Sequence, residues 1–251
     1  MRWGSIFTMN NYKTTGQLRA IAKEQSLGKY GTLIGANIII LALRFFVTTF
    51  TSFASEGSVI LFIINSIISL IVNILLGLLV SGKAYLYMNL LYSQPVSTSD
   101  IFFGMKQQPQ KAVAIQALFA AVDFVVFLPL QLLYAQYLST ESAVYMLIIM
   151  ILGIVALIAE VYVALTYSQA FYLLHDFPDR SAKELLATSR HLMKGNRFRL
   201  LYLHVGFIPL YLLGTVALFI PLLWVSVYKD ASLCSFYQDL IATANSNSNN
   251  Q

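Results

Sequence analysis

The stretch RHLMKGNRFRLLYLHVGFIPLYLLG, residues 190–214, passes from a basic turn directly into an apolar run. Five of its first ten residues can carry positive charge, and after them only His204 can. A basic segment next to an apolar run can bind a nucleic acid, an acidic substrate or the headgroups of a bilayer. The composition of the whole chain decides among these three.

That composition predicts a membrane protein. Of the 251 residues, 58% are hydrophobic and only 11% are charged, and the mean hydropathy is +0.70. A soluble domain carries about a quarter charged residues because water must wet its surface. The net charge of +5 and the pI near 9.2 would suit nucleic acid, but the basic residues stand beside apolar segments. We therefore expect lipid around most of the surface and no nucleic acid partner.

Apolar runs of about 20 residues, the length that crosses roughly 30 Å of hydrocarbon, predict the fold. We predict an all-α bundle of about six transmembrane helices, arranged as three hairpins within one membrane domain, residues 1–240. The spans are predicted near residues 31–53, 58–82, 111–137, 143–172, 199–214 and 217–239. The run 199–214 is short, so one span or a re-entrant hairpin is the alternative for residues 199–239. The polar tail 241–251 is predicted to be disordered.

The distribution of charge predicts the orientation. Lysine and arginine are concentrated in the N-terminal segment 1–30 and in the connections 93–111 and 175–199. The connections 54–57 and 138–142 contain glutamate as their only charged residue type. Because positively charged loops stay in the cytoplasm, we expect the N-terminus and, with six spans, the C-terminus on the cytoplasmic side of a bacterial cell membrane. The first 30 residues lack the short apolar region of a secretory signal.

Arg190, Lys194, Arg197 and Arg199 flank the fifth predicted span on its cytoplasmic side. Lysine and arginine at such a position lie near anionic headgroups, and a specific lipid or partner site is the alternative. The predicted partners are therefore the bilayer and its anionic phospholipids. A protein partner or a second copy of this chain stays open.

Each basic segment contains an amphipathic helical pattern before a span, so the chain is predicted to repeat one unit three times. The patterns begin near residues 14, 98 and 181, about 83 residues apart. In the second, Ser99 or Asp100 is predicted to cap the helix. In the third, Ser181 and Glu184 have the spacing of a capping box. We expect these helices to lie on the cytoplasmic leaflet. Their apolar residues are Leu18, Ile21 and Ala22, then Ile101, Phe102 and Met105, then Leu185, Leu186, Leu192 and Met193.

Two stretches near the C-terminus, SRHLMKGNRFRLLYLHVGFIPLYLLG and LLWVSVYKDASLCSFYQDL, carry a family resemblance. They resemble the bacterial integral membrane family catalogued as domain of unknown function 975. The matching residues are Ser189, Arg190, Met193, Lys194, Gly195 and Asn196 in the first stretch, and Tyr228, Ala231, Phe236 and Tyr237 in the second. Val227 stands where the family pattern has proline, which leaves the bend of the last helix open. The resemblance implies a six-span bacterial membrane protein and no particular activity.

Three ionisable residues fall at membrane depth, where charge is costly and each such residue is a candidate site. Arg44 lies in the first predicted span, Asp123 in the third and Glu160 in the fourth. Arg44 and Asp123 are at similar predicted depth, so we expect them to pair. Unpaired, each costs roughly 2.5–3.5 kcal/mol on insertion scales. The pair is interpreted as structural, with a substrate or proton pathway as the alternative.

Five amides also fall inside the spans. We expect hydrogen bonds between helices from them, with the lining of a polar cavity as the alternative. They are Asn37, Asn65, Asn73, Gln131 and Gln169.

Enzyme and metal templates are missing from the sequence. His175, His191 and His204 have no metal-binding spacing, and no nucleophile or phosphate-loop motif occurs. We therefore expect no cofactor and a non-enzymatic protein, which supports the envelope through lipid or protein contacts. The alternative is a small-solute or ion transporter or channel that uses the three intramembrane ionisable residues.

Overall fold

The apolar runs fold as helices, because a chain surrounded by lipid must satisfy every backbone N–H and C=O within the membrane. The computed structural model describes residues 12–51 and 59–249. The helices are α1 (Thr15–Ser26), α2 (Tyr30–Thr51), α3 (Val59–Leu91), α4 (Phe103–Lys106), α5 (Pro109–Thr140), α6 (Ala143–Tyr167), α7 (Ala170–Asp176), α8 (Ala182–Leu192), α9 (Arg197–Val205), α10 (Ile208–Val216) and α11 (Leu222–Asn249). A 3₁₀ turn, Thr98–Phe102, precedes α4. No strand occurs in the described ranges, so the all-α prediction is confirmed.

Five helical segments between residues 12 and 249 are long and apolar enough to cross a membrane. They are Tyr30–Val47, Ile63–Leu91, Pro109–Thr140, Ala143–Asp176 and Arg197–Val216. These segments coincide with the first five predicted spans, whose residues 52–53 and 58 lie outside the described part of the chain. Their outward faces expose aliphatic side chains. Leu157 and Ile158 of α6, for example, are each 65% exposed, as expected of helices that face lipid rather than water.

The sixth predicted span, residues 217–239, is not among these segments. α11 begins only at Leu222, and its polar residues include Lys229, Asp230 and Asp239, so it is less apolar than the other long helices. The disordered tail is a wrong prediction for residues 241–249, which continue α11. The side chain of Thr243 is buried there, and its hydroxyl donates to the Asp239 carbonyl at 2.9 Å.

α11 is the helix around which one end of the molecule assembles. It packs against α1, α2, α3 and α10. Val227, Ala231 and Tyr237 belong to one core cluster, and Phe236 and Leu240 belong to a second. Because its apolar side chains face other helices on several sides, α11 needs no lipid to bury them. A helix of moderate hydropathy is therefore stable at this position.

The three repeated units are present, and each begins with a capping box. The capping pairs are Thr14 with Gln17, Ser97 with Asp100, and Ser181 with Glu184. The third pair was predicted and is confirmed. The second prediction is corrected, because Ser97 is the cap and Asp100 is the acidic residue that bonds back to the Ser97 N–H at 2.9 Å. The first unit continues into α2 and α3, the second into α5 and α6, and the third into α9, α10 and α11.

The amphipathic helices turn their apolar residues to the protein. Leu18 and Ala22 of α1 are fully buried, as are Leu185 of α8 and Met193 at its C-terminal cap. α1 packs along α11, and α8 packs against α6 and α7. These helices are therefore amphipathic, as predicted, but their apolar sides contact neighbouring helices.

The second unit approaches α3 at two glycines. A Cβ atom on Gly82 would overlap the backbone carbonyl of Ile101, and one on Gly104 would overlap the carbonyl of Leu78. Only glycine permits such close contact of two backbones. This contact holds the 3₁₀ turn and α4 against α3 and so positions the start of α5.

Candidate functional site: a polar cavity between two apolar helices

A cavity of about 810 Å³ lies between α3 and α5. Its polar lining consists of Asn65, Ser66, Ser69 and Asn73 from α3, and Asp123, Gln131 and Tyr134 from α5. Most of these positions recur at intervals of three or four residues, so each helix turns one polar stripe toward the other. Phe124, Phe127 and Leu128 add apolar wall. A pocket of this size and mixed lining is of the kind that holds a small molecule.

Asp123 connects this cavity to α6. Its side chain lies within hydrogen-bonding reach of the side chain of Glu160. Two carboxyl groups can share a hydrogen bond only when one of them is protonated, because an ionised carboxylate has no donor. The Oε1 atom of Glu160 is buried and has no hydrogen-bond partner in the described part of the chain. This atom of Glu160 can therefore accept a further hydrogen bond.

The predicted pair between Arg44 and Asp123 is not formed. Between described residues the ion pairs are Lys83 with Asp230 and Arg199 with Asp239. α2, which carries Arg44, packs against α3 and α11, while α5 packs against α3 and α6. Depth along a helix can be read from sequence, but the direction in which each side chain points around the bundle cannot. Asp123 therefore faces Glu160 and the cavity.

The intramembrane amides divide between the two roles that the sequence allowed. Asn65, Asn73 and Gln131 line the cavity. The Asn37 amide instead donates to the Tyr87 hydroxyl at 3.3 Å, a bond between α2 and α3 of the predicted kind. Gln169 donates to the hydroxyl of the adjacent Ser168 at 2.7 Å. Sequence reasoning missed Ser66, Ser69 and Tyr134. The serines could have been found, because Ser69 lies four residues from both Asn65 and Asn73 on one helical face.

A second polar cluster lies where α2, α3 and α11 meet. Asp230 is 8% exposed and forms an ion pair with Lys83, with 2.6 Å between Nζ and Oδ2. The Asn37 amide donates to the Ser226 hydroxyl at 3.1 Å and to Asp230 at 3.4 Å. Sequence reasoning missed the role of Asp230, because its partners are distant in sequence. This cluster joins helices, and the buried Oδ1 atom of Asn37 has no hydrogen-bond partner in the described part of the chain.

The four basic residues predicted to contact anionic lipid fall into two groups. Arg190 and Lys194 are exposed. Arg199 is ion-paired with Asp239 and donates to the Lys13 carbonyl at 2.8 Å, and the Arg197 guanidinium lies 4.7 Å from the centre of the Tyr162 ring. The latter two residues therefore stabilise the protein itself, and only the first two present their charge to the surroundings.

The histidines form structural contacts. The Nε2 atom of His175 lies 2.8 Å from the Ser81 carbonyl, and the Nδ1 atom of His204 lies 3.0 Å from the Leu200 carbonyl. No three histidine, cysteine, aspartate or glutamate side chains within residues 12–51 and 59–249 are arranged to hold a metal ion. Cys234 is buried in the core cluster of α11.

The residues of the Ser-Arg and Met-Lys-Gly-Asn pattern have clear structural roles. Ser189 accepts from the Gln169 N–H at 3.2 Å and donates to the Thr166 carbonyl at 3.1 Å, and so closes the junction of α6 and α7. Gly195 has φ of +85°, a conformation that favours glycine. Asn196 is buried and donates to the Tyr12 hydroxyl at 3.2 Å and to the Leu192 carbonyl at 3.0 Å. The pattern thus forms the turn that connects α8 to α9.

The last helix is continuous where the family pattern has proline. Val227 lies inside α11 and is fully buried. Tyr228 packs edge-on against Phe207, with 5.3 Å between ring centres. The departure at Val227 therefore leaves α11 unbroken at this point.

Comparison with known proteins agrees with this structural reading. Neither a curated protein nor a solved structure matches the chain. The family described as Protein of unknown function (DUF975) matches residues 9–244, which includes nearly every element described above. The chain therefore belongs to this family of proteins of unknown function, and it carries several helices suited to crossing a membrane.

Proposed function

We propose that this membrane protein binds a small polar solute or cation in the cavity between α3 and α5 and carries it across the membrane without a chemical reaction. The observation that supports the proposal is the polar lining of that cavity, with Asp123 and its bonded partner Glu160 beside it. This was the alternative function at the level of the sequence. The geometry favours it over a support role.

The close packing that is usual in protein interiors supports the proposal. Helices that only support each other pack closely and leave few voids larger than a water molecule. Here a half-open cavity of about 810 Å³ lies between two long apolar helices. Polar side chains at membrane depth are costly unless they have partners or line a pathway. A polar ligand that bonds to the amides, Ser69 and Asp123 offsets that cost.

The carboxyl pair of Asp123 and Glu160 supplies a means of coupling cation movement to proton movement. A cation that binds Asp123 competes with the proton shared with Glu160, because both occupy the same acceptor oxygens. Binding of the cation therefore releases a proton, and return of the proton expels the cation. Carboxyl groups serve as such proton relays in many membrane transporters. Arg44 does not line the cavity and has no part in this scheme.

We place the face that carries α1 and α8 on the cytoplasmic side of a bacterial cell membrane. The support is the concentration of lysine and arginine in the segments at that face, which follows the positive-inside rule. With that orientation the α5–α6 turn at Glu141 faces outward.

Flux measurement in proteoliposomes tests the proposed transport. The wild type, Asp123→Asn and Glu160→Gln are compared for proton movement, followed by an internal pH dye, under inward gradients of monovalent cations, divalent cations and polyamines. We expect cation-driven proton movement in the wild type and its loss in Asp123→Asn. The matched control is Asp179→Asn, which removes an exposed carboxylate from the α7–α8 connection and should leave flux unchanged. Absence of wild-type flux with every cation, or full flux in Asp123→Asn, contradicts the proposal.

Support of the envelope through anionic lipid is the second candidate. One observation favours it, namely that Arg190 and Lys194 are exposed near α9, whose Phe198 is 85% exposed. Aromatic and basic side chains together suit the headgroup region. Lipid that copurifies with Arg190→Glu/Lys194→Glu is compared with that of the wild type and of Lys23→Glu, an exposed lysine of α1. Selective loss of anionic lipid from the double variant supports this role, and equal retention in all three contradicts it.

A further inference from the structure

The third hairpin, formed by α9, α10 and α11, extends a shorter distance along the helix axes than the first two hairpins do. By length and composition Arg197–Val216 is apolar enough to cross a membrane. The helix that follows this segment, α11, is however held against α2 and α3 by polar contacts near the N-terminal end of α11. These contacts limit the distance that the turn between α10 and α11, residues 217–221, can reach.

The limit follows from helix geometry. Asp230 is ion-paired with Lys83 of α3, and α11 begins at Leu222, about 12 Å earlier along its axis at 1.5 Å per residue. From Lys83, α3 continues to Val59, which is about 36 Å away. Even if α11 runs parallel to α3, the start of α11 lies about 24 Å short of the far end of α3.

Two further contacts limit the reach of the turn between α10 and α11 in the same way. The Asn37 amide of α2 bonds to the Ser226 hydroxyl, and α2 continues from Asn37 for about 21 Å to Thr51. Ser226 lies only one helical turn after the start of α11. On the α10 side, Lys229 lies 5.6 Å from the centre of the Tyr211 ring, and α10 ends at Val216, about 8 Å beyond Tyr211.

The turn itself is apolar and exposed. Val216 is 85% exposed, Leu218 80%, Phe219 64% and Ile220 62%. Leu218 and Phe219 have φ of +59° and +66°, a left-handed conformation that is strained in residues other than glycine. A tight turn made of large apolar residues is unsuited to water. Acyl chains solvate all four side chains, and within the turn the Phe219 N–H donates to the Gly214 carbonyl at 3.0 Å.

We infer that α10, residues 217–221 and the first turns of α11 form a re-entrant hairpin that enters the bilayer from the Lys83 side and ends within the hydrocarbon. Its partner is the acyl-chain region of the leaflet on that side. Four helices, α2, α3, α5 and α6, then cross the membrane fully, and the hairpin adds protein to one leaflet only. The protein therefore has a larger cross-section in that leaflet than in the other, which gives it a wedge shape.

Thiol labelling in sealed membrane vesicles tests this arrangement. The background is Cys234→Ser, because Cys234 is the only cysteine and is buried. Single cysteines replace Phe219 in the turn, Ser142 in the α5–α6 turn and Asp179 in the α7–α8 connection. A membrane-impermeant maleimide is applied to right-side-out and to inverted vesicles. A second sample of each variant carries a permeant fluorescent maleimide, which is quenched by lipids with a nitroxide either near the headgroup or near the chain end.

We expect Ser142→Cys and Asp179→Cys to be labelled from opposite sides, and Phe219→Cys to be labelled from neither. We also expect the fluorophore at residue 219 to be quenched more strongly by the nitroxide near the chain end. Labelling of residue 219 from the side of residue 142 shows a full crossing and overturns the inference. Labelling from the side of residue 179, stronger quenching near the headgroup, or labelling of both control positions from one side overturns it too.

Discussion

Lys83 of α3 and Asp230 of α11 form an ion pair with 2.6 Å between Nζ and Oδ2, and this pair joins the first repeated unit to the third. The Asp230 side chain is 11% exposed and that of Lys83 is 31% exposed. The contact is therefore largely removed from water. It fixes the start of α11 against α3 and determines how far the last hairpin extends.

The first prediction concerns this pair. Asp230→Asn should lower the free energy of unfolding in detergent by roughly 1–3 kcal/mol, because it leaves the Lys83 ammonium without a counter-ion. This is less than for a fully buried pair, since Lys83 is partly exposed. Lys83→Met/Asp230→Leu should recover part of the loss. Thermal unfolding followed by circular dichroism measures the effect, with Asp179→Asn as control; a loss no greater than that of the control refutes the assigned role.

The second prediction concerns the carboxyl pair. In a double-mutant cycle, Asp123→Asn and Glu160→Gln should show a coupling energy of roughly 0.5–3 kcal/mol, because their side chains are bonded. Arg44→Leu and Asp123→Asn should be additive to within about 0.5 kcal/mol, because the two side chains are not in contact. The melting temperatures of the single and double variants in detergent provide both cycles. Strong coupling in the second cycle and none in the first would restore the pairing expected from sequence.

The third prediction concerns the close approach to α3. Gly82→Ala and Gly104→Ala should each destabilise the protein by roughly 1–3 kcal/mol, the usual effect of overpacking, because the added methyl overlaps a backbone carbonyl. Gly153→Ala in α6 is the matched control, since a Cβ there meets no atom within 4 Å. Its melting temperature should equal or exceed that of the wild type. Similar behaviour of all three variants would contradict the described packing.

The fourth prediction concerns Ser189 of α8, which closes the junction of α6 and α7. Ser189→Ala should destabilise the protein by roughly 1–3 kcal/mol, because it leaves the buried Gln169 N–H and Thr166 carbonyl without this partner. Ser139→Ala removes an exposed hydroxyl that bonds to the Gln136 carbonyl and should have little effect. Chemical denaturation in detergent compares the two. An equal loss in both variants argues against a special role for Ser189.

The fifth prediction concerns pH. The backbone N–H and the hydroxyl of Ser181 both bond to the Glu184 carboxylate and lower the pKa of that carboxyl. Because the folded-state pKa is depressed, the stabilisation is present at neutral pH and is lost as the pH falls below about 4. The wild type should therefore melt above Glu184→Gln at neutral pH, and the two should converge in acid. A difference that is constant with pH excludes this source of stability.

The sequence alone determined the helical class, the first five apolar segments and the repeat, because each depends on local composition. A helix long enough to cross hydrocarbon must be apolar along its whole length, and that property is visible in any window of the chain. The capping box of Ser181 and Glu184 was found for the same reason, since its two residues are three positions apart.

The tertiary structure alone decided which residues meet. Asp123 faces Glu160 and the cavity because α5 packs between α3 and α6, and Asp230 meets Lys83 because α11 returns beside α3. Both contacts join residues far apart in the chain, so no local pattern records them. α11 shows the same limit, because its Asp230 and Asp239 are buried against other helices. Composition determines whether a helix can enter lipid, and only packing determines which neighbour takes the place of lipid.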